Sequence, residues 1–202
     1  MKKSVFLFIV MSLLLHSRGI IAGEGPTATL KPVLDGVMDI LSDSDLKGDK
    51  HLQERRGKIM SKVKEGFDFR EMSKRVLGKT WRTINDEQKE YFTTLLTKLL
   101  ENVYIGKLEG YSGQTTEFEA EKIKGSRAQV TTVVENNGNL LPVHYIMRER
   151  GGNWMVYDIN IEGISLIRNY QQQFKSILRK EKYEGLVKVL EEKNRSFIKT
   201  KN

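Results

Sequence analysis

Apolar residues at Leu30, Val33, Leu34, Val37, Met38 and Leu41 recur every three or four positions. This predicts an amphipathic helix with Pro32 in its opening turns. A polar stretch over residues 42–49 breaks the pattern, and Leu52, Arg56, Ile59, Met60 and Val63 predict a second helix. Asp68 with Glu71 three residues on has the spacing of a capping box, opening a short helix through Met72, Val76 and Leu77 that stops at Gly78. Asn85, with Asp86 and Glu87 in the first turn, predicts the start of the longest helix. Tyr91, Phe92, Leu95, Leu96, Leu99, Leu100, Val103 and Tyr104 give that helix a broad apolar face.

After Gly110 the period falls to two. Residues 116–123, 127–135, 140–150 and 153–161 alternate, separated by Lys124-Gly125-Ser126, Asn136-Asn137-Gly138-Asn139 and Gly151-Gly152. Asn-Gly between apolar runs is a strong hairpin signal, so the four segments predict an antiparallel meander. Gly163 opens another helical stripe (Leu166, Ile167, Tyr170, Phe174, Ile177, Leu178). A last short helix carries Tyr183, Leu186, Val187 and Leu190, and a polar tail follows over 194–202. Helices, a meander and closing helices make an α+β fold, one curved sheet half-wrapped by helices and able to enclose a cavity. Residues 23–110 read as mainly helical and 111–193 as sheet plus closing helices.

The first two dozen residues change how the charge reads. Lys2 and Lys3 precede an eleven-residue apolar run over 5–15, and small residues flank a cut after Ala22. The run is too short to span a bilayer, so residues 1–22 read as a secretory signal peptide, with a retained anchor as the alternative. Removing Lys2, Lys3 and Arg18 lowers the net charge from +8 to +5. Export to a bacterial envelope argues against nucleic acid as partner and leaves a solvated basic surface or attraction to anionic lipid head groups. Cysteine is absent, which excludes disulfides, thiolate metal sites and cysteine nucleophiles.

Little in the remaining chemistry motivates catalysis. The chain after residue 22 holds two histidines, His51 and His144, and no nucleophile elbow, phosphate-binding glycine loop or zinc-binding histidine pair on a helix. Asp43, Asp45, Asp49 and Glu54 fall in an EF-hand-like register. Lys47, however, stands at a ligand position, so a polar interhelical turn is the expected reading and no metal site is assigned. Asp158 lies among Trp154, Met155, Val156, Tyr157, Ile159 and Ile161. There it is either a general base in an apolar cavity or a carboxylate satisfied by nearby backbone and hydroxyl groups. The concentration of aromatics and methionines in the long helix and strands fits a filled core or a lined cavity equally well.

Two segments carry a family resemblance. Phe67-Asp68-Phe69-Arg70-Glu71-Met72, Val76-Leu77-Gly78, Trp81, Gln88, Phe92, Leu96 and Tyr104 form the first. The second comprises Trp154-Met155-Val156-Tyr157-Asp158-Ile159, Ile161-Glu162-Gly163-Ile164-Ser165-Leu166-Ile167 and Tyr170 to Phe174. Together they resemble the MlaC (toluene tolerance) family of periplasmic phospholipid-binding proteins. Gln171 stands where related sequences often carry Arg.

The resemblance implies a nuclear-transport-factor-like cone with an N-terminal helical part. It also implies a soluble, non-enzymatic periplasmic carrier that holds phospholipid as cargo, needs no cofactor, and moves lipid between outer and inner membranes to maintain outer-membrane asymmetry. Its implied partners are an outer-membrane lipoprotein complex and an inner-membrane ABC transporter complex with an MCE-type substrate-binding subunit. The expected lipid-binding residues are Phe92, Leu96, Leu99 and Val103 on the long helix. On the strands they are Val143, Tyr145, Met147, Tyr157, Ile159 and Ile161, taken by alternation, so a one-residue register error exchanges the face. A cone-fold enzyme using Asp158 and a structural envelope adaptor with a solid core are the alternatives.

Overall fold

The computed structural model describes residues 24–110, 116–136 and 139–199. The expected signal peptide with its cut after Ala22, and the centre of the Asn136–Asn139 turn, lie outside the described residues. Four helices come first: α1 (Pro26–Ser42), α2 (Leu52–Gly66), α3 (Phe69–Leu77) and α4 (Asp86–Glu109). A meander of β1 (Thr116–Lys124), β2 (Arg127–Asn136), β3 (Asn139–Arg150) and β4 (Asn153–Ile161) follows. A two-residue β5 (Ile164–Ser165) then leads into α5 (Leu166–Lys199). The five strands form one antiparallel, open, curved sheet in the order β1-β2-β3-β4-β5. The fold is α+β.

Local chemistry explains the helix boundaries. Asn85 accepts the Gln88 amide while the Gln88 side chain accepts the Asn85 amide, a complete capping box at the start of α4. At α3 only half of the box forms: Asp68 accepts the Glu71 amide at 2.8 Å. The Asp68 amide donates instead to the Val156 carbonyl at 2.9 Å, tying the helix start to the edge of β4. Gly78 ends α3 with φ +55°, a left-handed conformation that an L side chain resists. Gly66 serves packing rather than torsion, because a Cβ there would stand 2.9 Å from Val33 Cγ2, where α2 crosses α1.

The segment between α1 and α2 forms two single-turn 3-10 helices over Ser44–Leu46 and Asp49–His51. Asp43 accepts the Asp45 amide, and Arg55 donates to the carbonyls of Leu46 and Gly48. Arg55 thus brings a guanidinium into this turn, against the carbonyls of Leu46 and Gly48. Arg56 Nε donates to Glu109 Oε1 at 2.8 Å and its Nη2 to Oε2, while Arg55 adds a third bond at 3.2 Å. This cluster fastens α2 to the end of α4.

The closing helices differ at one end from what their helical spacing predicts. α5 breaks at Lys182, whose φ of 61° and ψ of −162° are not helical, giving the two expected halves. The second half, however, continues to Lys199, so helix replaces most of the polar tail expected from residue 194. Asn194 is buried between α5 and α4: its Nδ2 donates to the Leu95 carbonyl, and its Oδ1 accepts from Asn102. Phe197 packs against the main core. A polar residue on the buried stripe hid this last turn and a half from a purely apolar periodicity.

Candidate functional site

The strand register sorts the sheet into rows. Ala128, Met147 and Val156 stand side by side on one face, followed by Val130, Tyr145 and Ile159, then Thr132, Val143 and Ile161. Seven of these nine residues are apolar, and the middle positions on β3 are buried. The opposite face carries Thr131, His144 and Asn160 in one row and Gln129, Ile146 and Asp158 in the next. His144 therefore lies on the face opposite Tyr145. Its Nδ1 is 3.0 Å from the Thr131 hydroxyl and 3.4 Å from Gln129 Nε2.

The register shifts between Ile146 and Met147 because β4 carries an extra residue there. Asp158 faces Ile146, Val156 faces Met147, and Tyr157 is left unpaired between them. Such a bulge reverses the in–out phase of the strand beyond it. Tyr157, assigned by alternation to the face of Ile159 and Ile161, is a correction: it leaves that face, and Val156 takes the inward position. Tyr157 is buried instead beneath Arg75, whose guanidinium lies 3.8 Å from the ring centroid. Nothing in period-two patterning signals the extra residue.

The other nine expected residues converge. Phe92, Leu96, Leu99, Val143, Tyr145 and Met147 belong to one buried cluster, with Val103, Ile159 and Ile161 packed against it. Leu30 and Val33 of α1 and Ile167, Tyr170, Phe174, Leu186 and Leu190 of α5 complete the enclosure. Val130, Val156 and Phe174 are as deeply buried as any expected residue, and the helical stripe through Tyr170 and Phe174 was the available signal for α5. The side chains between the inward sheet face, α4 and α5 thus form one continuous apolar cluster. Besides the Asn194 amide, the hydroxyls of Thr132, Tyr145 and Tyr170 are polar points within it. Burial pushes the Tyr145 phenol up to about 12, while the Thr132 hydroxyl beside it pulls the other way. Burial raises Tyr170 as well, and Tyr104, to which it is hydrogen-bonded, adds to the rise. These groups stay neutral across physiological pH.

Asp158 is elsewhere. Its Oδ2 accepts the Ser165 hydroxyl at 2.6 Å and its Oδ1 the Ile167 amide at 3.0 Å, while Ser165 Oγ accepts the Arg168 amide. Both carboxylate oxygens are engaged at the start of α5, on the face away from Met147. Of the two readings of this acid, the satisfied carboxylate is the observed one.

A groove of about 470 Å³ runs beside the interior between α4 and the α2–α3 connection. Phe67, Phe69 and Met155 form its apolar wall and Thr93, Thr94 and Thr97 its other side; Lys64, Asp68, Lys98 and Glu101 are its charged groups, Lys98 paired with Glu101 at 2.7 Å. Phe67 is itself a member of the main cluster and stacks near Phe69 at 6.4 Å, so the groove shares a wall with the interior. Among the described residues no helix is long and apolar enough to cross a membrane.

Comparison with known proteins follows the same lines. The chain is 23% identical over 188 residues to the intermembrane phospholipid transport system binding protein MlaC of Haemophilus influenzae, covering 90% of this chain and 87% of that protein. It is 29% identical over 101 residues to the toluene tolerance protein ttg2D of Pseudomonas putida, covering 49% of this chain and 47% of that one. The fold superposes with a TM-score of 0.80 and 28% identity on a phospholipid-binding protein from Ralstonia solanacearum, solved in complex with a phospholipid. That match covers 87% of this chain and 99% of the other. The MlaC protein family itself matches residues 31–192, from the first turns of α1 into the second half of α5, and the chain belongs to that family.

Proposed function

We propose that the protein is a soluble periplasmic carrier that takes phospholipid acyl chains into the apolar interior and shuttles lipid between the outer and inner membranes. The observation that carries this reading is the single apolar cluster built from the inward rows of β2, β3 and β4 and from α4 and α5. The residues of that cluster proposed to meet the acyl chains are Phe92, Leu96, Leu99, Val103, Val143, Tyr145, Met147, Ile159 and Ile161. The Ralstonia solanacearum relative, bound to a phospholipid, and the Haemophilus influenzae relative, named for intermembrane phospholipid transport, support it.

The energetics demand such an interior. Each methylene is worth about 0.8 kcal/mol against water, so two long acyl chains total roughly 25 kcal/mol. A carrier crossing an aqueous space must shield them almost completely, yet only match a bilayer, or it would never release its cargo. Neutral tyrosine hydroxyls in the wall suit this balance, since they add no charge to desolvate. The groove between Phe67, Phe69 and α4 is the proposed entrance, where Lys64, with no carboxylate within ion-pair distance among the described residues, is the cation offered to a phosphate. The expected docking partners are an outer-membrane lipoprotein complex and an inner-membrane ABC transporter complex with an MCE-type subunit.

The engagement of both Asp158 oxygens favours a carrier over a cone-fold enzyme using that acid. A transfer assay tests the carrier: vesicles containing a fluorescent phospholipid are mixed with unlabelled acceptor vesicles. Transfer should rise in proportion to added protein. A rate unchanged by protein would reject the carrier and leave a structural adaptor with a solid core.

A further inference from the structure

The chain's positive charge is not spread evenly. Residues 69–82, which form α3 and the turn after it, and residues 166–180, the first half of α5, hold nine basic residues and one acid. Their balance of +8 equals that of the whole chain, and the rest of residues 23–202 sums to −3. The two segments are neighbours: Gln171 Nε2 donates to the Arg75 carbonyl at 2.7 Å.

On α5, Arg168, Lys175 and Arg179 are seven and four residues apart and so share one stripe of the helix. All three are exposed, on the side away from buried Ile167, Tyr170 and Phe174. Lys74 and Lys79 are exposed near Arg75. The one acid within the two segments, Glu71, is divided among Lys74, Arg75 and Arg148, and Arg70 pairs with Glu90 of α4. Among the described residues Lys79, Arg168, Lys175 and Arg179 have no carboxylate within ion-pair distance. Ile164, 64% exposed, sits at the end of the stripe where α5 begins.

We propose that this face docks the protein on an anionic bilayer surface. A specific protein interface needs a buried apolar or aromatic anchor at its centre. Here a single aliphatic side chain accompanies a broad field of one sign carried on long, flexible stems. That combination matches the potential of an anionic leaflet, into whose head-group layer Ile164 can dip while the lysines and arginines stay at phosphate level. The attraction is long-ranged and screened by salt, so it would hold the protein near a membrane without anchoring it. It does not depend on what the interior holds.

The test is sedimentation with vesicles of phosphatidylcholine alone or mixed with phosphatidylglycerol, with lipid uptake followed separately by mass spectrometry. The protein should sediment with the mixed vesicles at low salt, be released at about 0.5 M salt, and ignore phosphatidylcholine. Lys175→Glu with Arg179→Glu should weaken partitioning by about tenfold or more while uptake stays intact. Lys122→Glu with Lys124→Glu on β1, an equal change in net charge, should retain most of the binding. Equal binding to both vesicle types, or an equal loss in the β1 variant, would overturn the assignment of this face. Binding to poly-glutamate with none to vesicles would also overturn it and point to an acidic protein. Failure of uptake with docking preserved would strike the carrier reading alone.

Discussion

The Ser165 hydroxyl donates to Asp158 Oδ2 at 2.6 Å, and this bond closes the corner where the sheet hands over to α5. The other carboxylate oxygen takes the Ile167 amide, so a single acid satisfies two donors at the start of the helix that covers the interior. Its negative charge also faces the positive end of the helix dipole.

Asp158→Asn keeps an acceptor and the side-chain shape but loses the charge. It should cost about 1 kcal/mol of stability, read as a lowered denaturation midpoint, and leave phospholipid uptake unchanged. An enzyme using Asp158 as a base would instead lose a chemical conversion of lipid with binding preserved.

Asn194 makes the second half of α5 more than a tail. Asn194→Ala strands the Asn102 amide and the Leu95 carbonyl contact in a buried seam and should cost about 1–3 kcal/mol. Ending the chain after residue 193 should destabilise by at least as much, since Phe197 is lost with it. A truncated protein with an unchanged unfolding midpoint would show that residues 194–199 contribute nothing to the fold.

The Arg55–Arg56–Glu109 cluster sets an acid limit. Burial pushes the Glu109 carboxyl up, but the bonds and charges of Arg56 and Arg55 outweigh it and hold the group below its usual value of 4.5. A carboxyl depressed in the folded state contributes stability above its unfolded pKa, and that stability is lost as pH falls through the folded value. Stability should therefore drop from near pH 5 downward. Glu109→Gln should flatten that slope while costing about 3 kcal/mol at neutral pH, because both guanidinium groups lose their carboxylate. Urea titrations at several pH values measure both effects.

Helix starts were legible because capping is local chemistry: Asn85 with Gln88 and Asp68 with Glu71 are short-range signals. The meander was legible from alternation and glycine turns, and Lys124 indeed faces Arg127 and Arg150 faces Asn153 across them. Tyr157 was misplaced because a bulge depends on two strands and leaves no period in either. Asn194 was missed because a buried polar residue is recognised only through its partners on α4. The two fates of Asp158 differ in which backbone meets the carboxylate, and only tertiary structure decides that.

Met147 probes the interior itself. It is wholly buried between Ala128 and Val156. In a permanently closed core Met147→Glu buries an unpaired charge, costs several kcal/mol and unfolds the protein. In an interior that opens to water when empty, the carboxylate is hydrated. The expected variant is folded by circular dichroism and free of lipid; an unfolded one would remove Met147 from the cargo site.

Lipid extraction and mass spectrometry of the protein purified from envelope material without detergent tests the carrier most directly. The predicted result is diacyl phospholipid in near-stoichiometric amount. The bound lipid should raise the unfolding temperature above that of stripped protein, as any ligand selective for the folded state must. Repeated lipid-free spectra, with no uptake when the stripped protein is offered phospholipid vesicles, would contradict it.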